Sequence, residues 1–238
     1  MSLVAKLLLS PLLIVQAVMT RRRAPTLPEA AGERRGVFGQ GPVLRVLIVG
    51  DSSGAGVGVD TQDIALAGHL TRTLAEAASA EVHWHLVAKS GITSAQALDL
   101  VRQEKPGPAD VAVVVLGVND VIDQVPSHRA VQHREALADW LLAHTGVKHV
   151  AFAPLPPVHQ FPLLPQPLRW IMGSDARRHD QAMARWAATR RDVAHVPIEL
   201  RLDAGCMASD GFHPGEPVYR TCGEALARHI ATTRLETT

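Results

Sequence analysis

The sequence predicts a three-layer α/β domain on a mostly parallel sheet. Three observations carry this: five short runs rich in Val, Leu and Ile, helical patterns of about 10–18 residues between them, and glycine or polar residues where several runs end. Residues 44–50, Leu-Arg-Val-Leu-Ile-Val-Gly, form the first run, apolar enough for a buried parallel strand. Thr61 opens a helical pattern through Ala78 that sets Leu66, Leu70, Leu74 and Ala77 on one stripe. Residues 81–88 alternate as a strand, with Val82, Trp84 and Leu86 on one face, and residues 93–102 read as a short helix. Residues 110–116 are the most hydrophobic strand, which predicts a central position.

Residues 127–145 read as a helix capped by Ser127 and ended near Gly146. A fourth strand at 148–154 leads into a loop containing Pro154, Pro156, Pro157, Pro162, Pro165 and Pro167. A helix over 176–191, a strand over 195–199 and a helix over 216–233 complete the expected five-stranded parallel sheet. There is no internal repeat and no second globular domain. The chain therefore divides into an apolar, basic N-terminal segment and linker at 1–43 and one domain at 44–238.

The whole chain carries 24 Lys and Arg against 23 Asp and Glu, a formal charge of +1, which gives no support to a nucleic-acid partner. The head holds six of the basic residues, Lys6, Arg21, Arg22, Arg23, Arg34 and Arg35, against Glu29 and Glu33, so the body is mildly acidic. An apolar content of 47% excludes disorder, and Cys206 with Cys222 is too few for a disulfide scaffold or a cysteine-rich metal site. The two thiols read as free by default, with a single bridge open in an oxidising compartment. His83 and His85 share a strand face, but no third ligand accompanies them, so no metal is expected.

Residues 7–19 form an apolar run closed by Arg21-Arg22-Arg23. As a helix it reaches about 20 Å, short of a ~30 Å hydrocarbon layer. Three readings stand: an interfacial or anchoring helix at residues 2–23 with its arginines on anionic lipid, a helix packed on the body, or a signal. The first is preferred, and the positive-inside tendency then keeps the body cytoplasmic or on the cytoplasmic face of a membrane. Oligomeric state is not legible.

Four loops carry candidate chemistry: Gly50-Asp51-Ser52-Ser53, Ser90-Gly91-Ile92-Thr93, Gly117-Val118-Asn119-Asp120 and Asp210-Gly211-Phe212-His213-Pro214. In an open parallel sheet, ligands sit beyond the strand carboxyl ends. Acyl transfer needs this set. A serine hydroxyl (Ser52) needs an imidazole (His213) to take its proton, and the imidazole needs a carboxylate (Asp210) to fix its tautomer. The developing oxyanion needs donors, for which the N–H groups of Ser52 and Gly91 and the amide of Asn119 are candidates. Asp51 and Asp120 read as braces for the loops beside them. Gly54, Gly56 and Gly58 fall short of a dinucleotide fingerprint because Val59 breaks it, so no nucleotide cofactor is expected.

These blocks, in this order, resemble the SGNH (GDSL-like) hydrolase family over about residues 44–232. The resemblance implies a flavodoxin-like sheet and esterase or lipase chemistry through an acyl-enzyme. Two positions depart from the family pattern: Ser53 stands where leucine is usual, and the glycine block lacks an upstream asparagine. Both bear on substrate shape. A small-molecule ester of short-to-medium acyl or aryl type is expected, with Phe161, Leu163 and Trp170 as pocket contacts. Transfer of the acyl group to an alcohol or sugar is the alternative, using the same residues.

Overall fold

The computed structural model describes residues 3–203 and 205–235. Its first element, α1 (Leu3–Arg23), precedes a short strand β1 (Arg35–Phe38) and the first long strand β2 (Val43–Gly50). There follow α2 (Leu66–Ala78), β3 (Glu81–Ala88), α3 (Ser94–Glu104), β4 (Val111–Val115) and a short α4 (Val118–Ile122). The chain ends with α5 (Ser127–His144), β5 (His149–Phe152), α6 (Leu168–Ala187), β6 (Val193–His195) and α7 (Glu216–Leu235).

The sheet has six strands in the order β1-β3-β2-β4-β5-β6, not five. It is also mixed: β1 pairs antiparallel to β3, whereas β3, β2, β4, β5 and β6 are parallel. The missed strand lies in the stretch that reads as linker, so the sheet begins before Leu44. Its signal is weak for a physical reason. An edge strand buries only one face, and Arg35 and Val37 point outward while only Gly36 and Phe38 are half-buried.

The parallel strands follow the expected period of two. Leu44, Val46 and Ile48 of β2 enter one core with Leu66, Leu70 and Leu74 of α2 and Leu226 and Ile230 of α7. Leu47 and Val49 enter the other, with Val101 of α3, Leu137 and Leu141 of α5 and Met183 of α6. Each fully buried aliphatic side chain contributes roughly 1.5–3 kcal/mol. The layers are thus α2 and α7 on one face and α3, α5 and α6 on the other.

Several boundaries shift. α2 starts at Leu66 because residues 62–64 make a tight 3-10 turn first. Pro126, not Ser127, caps α5, and no side chain bonds its first turn. β6 ends at His195 instead of reaching residue 199, since Pro197 has no N–H for the ladder. α6 begins at Leu168, directly after Pro167. A proline interrupts a helix interior but costs nothing just before the first turn, so the proline-rich loop stops there.

Candidate active site

β2 delivers the chain to a tight turn. Gly50 and Gly54 approach so closely that a Cβ on either would lie 2.7 Å from the other's Cα. The turn is closed by Ala55 N–H donating to the Asp51 carbonyl at 2.8 Å and Val57 N–H to the Ser52 carbonyl at 3.0 Å. Asp51 is buried beneath it and accepts the Ser53 N–H at 2.9 Å. Burial pushes the Asp51 carboxyl up to about 6, against the opposing pull of that N–H and of His213.

The loop before α7 supplies the partner. Asp210 is buried, and its Oδ1 accepts the N–H groups of Phe212 and His213, each at 2.9 Å. Its Oδ2 lies 2.6 Å from Nδ1 of His213, and the other ring nitrogen, Nε2, lies 3.1 Å from the Ser52 hydroxyl. Burial works to raise the Asp210 carboxyl, but the hydrogen bonds from His213 and Phe212 outweigh it and hold the group below its ordinary value. A carboxylate kept charged against one imidazole nitrogen favours the tautomer whose other nitrogen accepts the serine proton.

Asn119 follows β4 on α4. Its Nδ2 donates to the Ile92 carbonyl at 2.9 Å and lies 3.5 Å from Oδ2 of Asp51, which ties together three of the loops. Gly117 caps α4 at φ +133, and a Cβ there would lie 2.1 Å from Nη2 of Arg134. That arginine is fully buried and bonds Asp120 at 3.1 Å and the Ser94 hydroxyl at 3.0 Å. Asp120 in turn accepts the Ser94 N–H at 3.1 Å. The brace expected of Asp120 is therefore a buried triad, and its members Ser94 and Arg134 carry no signal in the sequence.

Gly91 stands on the β3–α3 loop at φ +82, exposed, with open space where a Cβ would be. It does not line the cleft beside Ser52, but its neighbour Ile92 is held by Asn119, and its other neighbour, Ser90, donates N–H and hydroxyl to Glu29, both at 2.7 Å.

A narrow cleft opens over Ser52, Asn119 and His213. Phe161 and Phe212, edge to face at 5.1 Å, form part of its wall with Leu202, Met207 and Val218. Two expected contacts fail. Leu163 does not line the cleft; its N–H instead secures the Asp210–His213 loop through the Gly211 carbonyl at 3.1 Å. Trp170 points to solvent, 53% exposed. Sequence proximity to the proline loop suggested both, but α6 begins at Leu168 and turns Trp170 away. The residues missed, Leu202, Met207 and Val218, lie beside the Asp210–His213 loop and are apolar without periodicity. Among the described residues no cluster of three or more His, Cys, Asp or Glu could hold a metal, and His83 instead meets Glu81 at 2.6 Å. Both cysteines are free, and burial raises the Cys222 thiol to about 12.

The model of the GDSL-like lipase/acylhydrolase family matches residues 48–221, a stretch that includes every one of these loops. The chain belongs to that family. It is an ester-cleaving hydrolase of the serine type. Solved structures share its fold at low identity. A family 3 carbohydrate esterase from Clostridium thermocellum is 17% identical at TM-score 0.63, covering 82% of this chain and 100% of its own. The lipase Lip_vut3 from a goat rumen metagenome is 19% identical at TM-score 0.61, covering 79% and 97%. The psychrotrophic esterase EstA from Pseudoalteromonas sp. is 18% identical at TM-score 0.57, covering 82% and 99%. No curated protein matches the chain significantly.

Proposed function

We propose that this GDSL-like hydrolase cleaves short-to-medium acyl or aryl esters through an acyl-enzyme on Ser52. The observation that carries the reading is the continuous chain from Asp210 through His213 to the Ser52 hydroxyl, at 2.6 and 3.1 Å, opening into an apolar cleft. Ser52 Oγ attacks the ester carbonyl while its proton passes to Nε2 of His213. The Ser52 N–H and the Asn119 amide, both beside the Ser52 hydroxyl in the cleft, are the donors assigned to the oxyanion. Collapse of the tetrahedral adduct breaks the bond to the alcohol, which leaves with the proton from His213. Water then repeats the sequence on the acyl-enzyme, with His213 as base, and releases the acid. The limited volume of the cleft and its aromatic pair favour compact or aryl acyl groups.

The test is a panel of p-nitrophenyl esters from acetyl to palmitoyl. Turnover is expected to peak at the short end and to vanish in Ser52→Ala, with an unchanged far-UV spectrum and melting temperature. A reactive phosphonate is expected on Ser52. Full activity in Ser52→Ala, or the label on Ser53, overturns the assignment. Adding an alcohol acceptor to the same assay separates hydrolysis from acyl transfer, since transfer yields a new ester in place of the free acid.

A further inference from the structure

We propose that α1 is a docking helix for an anionic lipid surface and sets the mouth of the Ser52 cleft against it. The helix is apolar almost all round in its sequence, yet among its described side chains only one narrow stripe meets the body. Leu13 packs on the apolar cluster that includes Phe161, Leu202 and Val218 of the cleft wall. Gln16 donates to the Gln166 carbonyl at 2.6 Å and accepts the Leu168 N–H at 3.1 Å. Its remaining faces present Leu12, Ile14, Val15, Val18 and Met19 to solvent, at 44–63% exposure. A helix hydrophobic on every side needs an apolar environment on every side, and from residue 9 onward the body supplies one stripe of it.

Two further features identify the occupant. The exposed apolar surface is concentrated where the strands end. Beside α1, Trp170 stands just past the segment Gln16 grips, and Ile122 stands on the helix of Asn119; apart from these, only Val37 and Val43 are large exposed hydrophobics among the described residues. The second feature is charge. α1 carries no acidic residue and ends in Arg21, Arg22 and Arg23, all exposed. A second copy packed parallel along α1 would bring another cationic cluster to that end, and one packed antiparallel would bring no acidic residue of its own α1 to it, whereas an anionic headgroup layer neutralises it. No described helix is long and apolar enough to cross a membrane, so α1 lies in the interface with its apolar faces immersed and its arginines among headgroups. Taken with the proposed ester hydrolysis, on which this clause alone rests, the substrates are esters dissolved in that layer.

The experiment uses the full chain carrying Ser52→Ala, sedimented with vesicles of phosphatidylcholine alone or mixed with phosphatidylglycerol. Binding is expected only with the anionic vesicles and is expected to weaken in high salt. Replacing Arg21, Arg22 and Arg23 together with Ala is expected to lower partitioning by about 100-fold. Val15→Asp with Val18→Asp, at solvent-facing positions, is expected to abolish it at an unchanged melting temperature. In chains that retain Ser52, the ratio of turnover on a vesicle-borne medium-chain ester to that on a water-soluble short-chain one is expected to fall in both variants. Absence of sedimentation with anionic vesicles, or equal partitioning in both variants, overturns the proposal. So does a dimer in solution that the Asp substitutions dissolve without any vesicle binding. A chain that binds vesicles but cleaves no ester leaves the docking intact and overturns the Ser52 reading instead.

Discussion

Two buried carboxylates flank Ser52 in space, and their surroundings push them in opposite directions. Asp210 accepts hydrogen bonds from a ring nitrogen and two backbone N–H groups and is held below its ordinary value. Asp51 is more deeply desolvated than it is compensated, and rises to about 6. The consequences for stability differ in sign. Below its ordinary value near 4, Asp51 is protonated in both folded and unfolded chains and contributes nothing. As pH rises from there to about 6, only the unfolded chain loses the proton, so folding stability falls by about 3 kcal/mol in total. Asp210 does the reverse, contributing stability at neutral pH that is lost only as pH falls below the usual carboxylate range. Asp51→Asn is therefore expected to gain stability relative to the parent as pH rises from 4 to 6.5, measured by urea denaturation at each pH; a constant difference refutes the assignment. Asn119→Ala is expected to lower kcat by about 10²–10³ on a soluble ester, with little change in KM. At this scale the sequence is eloquent, because Ser52, Asn119, Asp210 and His213 have a chemistry that only certain side chains perform. It is silent on Trp170 and Leu163, whose apolar character is equally consistent with facing a cleft, a loop or water.

At the scale of elements, positions are set by groups remote from the reaction. α3, α4 and α5 are joined where Asp120 meets Ser94 and Arg134 in complete burial. Removing one member of a buried ion pair leaves the other uncompensated, at a cost of about 3–5 kcal/mol. Arg134→Met is expected to lower the melting temperature by that equivalent and, because α4 carries Asn119, to reduce kcat more than it raises KM. Gly117→Ala is expected to act in the same direction, since its Cβ would occupy the space of the Arg134 guanidinium and its φ of +133 strains any side chain. Calorimetry and steady-state kinetics on both variants check this. Helices and central strands were legible from their periodicity, whereas Arg134 lies on a helix among other charged residues and only the packing separates it from exposed Arg129.

For the whole molecule, the boundary between head and body falls earlier than charge and composition suggest. Glu29 grips Ser90, Arg34 donates to the Ala88 carbonyl at 2.7 Å and pairs with Glu29, and β1 closes the sheet edge. A chain beginning at Pro25 is expected to fold and to turn over a soluble ester. One beginning at Gly41 is expected to expose the edge of β3, free the loop of Gly91, and aggregate or melt at least 2 °C lower, an interval set by a loss of about 1 kcal/mol or more. Equal melting temperatures for the two truncations would place the boundary back at residue 44.

The sequence by itself determined the central strands, the helical layers and the four reactive loops. Hydrophobic period and reactive side chains are local properties, written residue by residue. The tertiary structure alone decided the sixth, antiparallel strand, the buried Arg134, the residues that wall the cleft, and the side on which α1 rests. Each of these depends on which surfaces meet, and a linear pattern records what a residue can bury without recording what it is buried against.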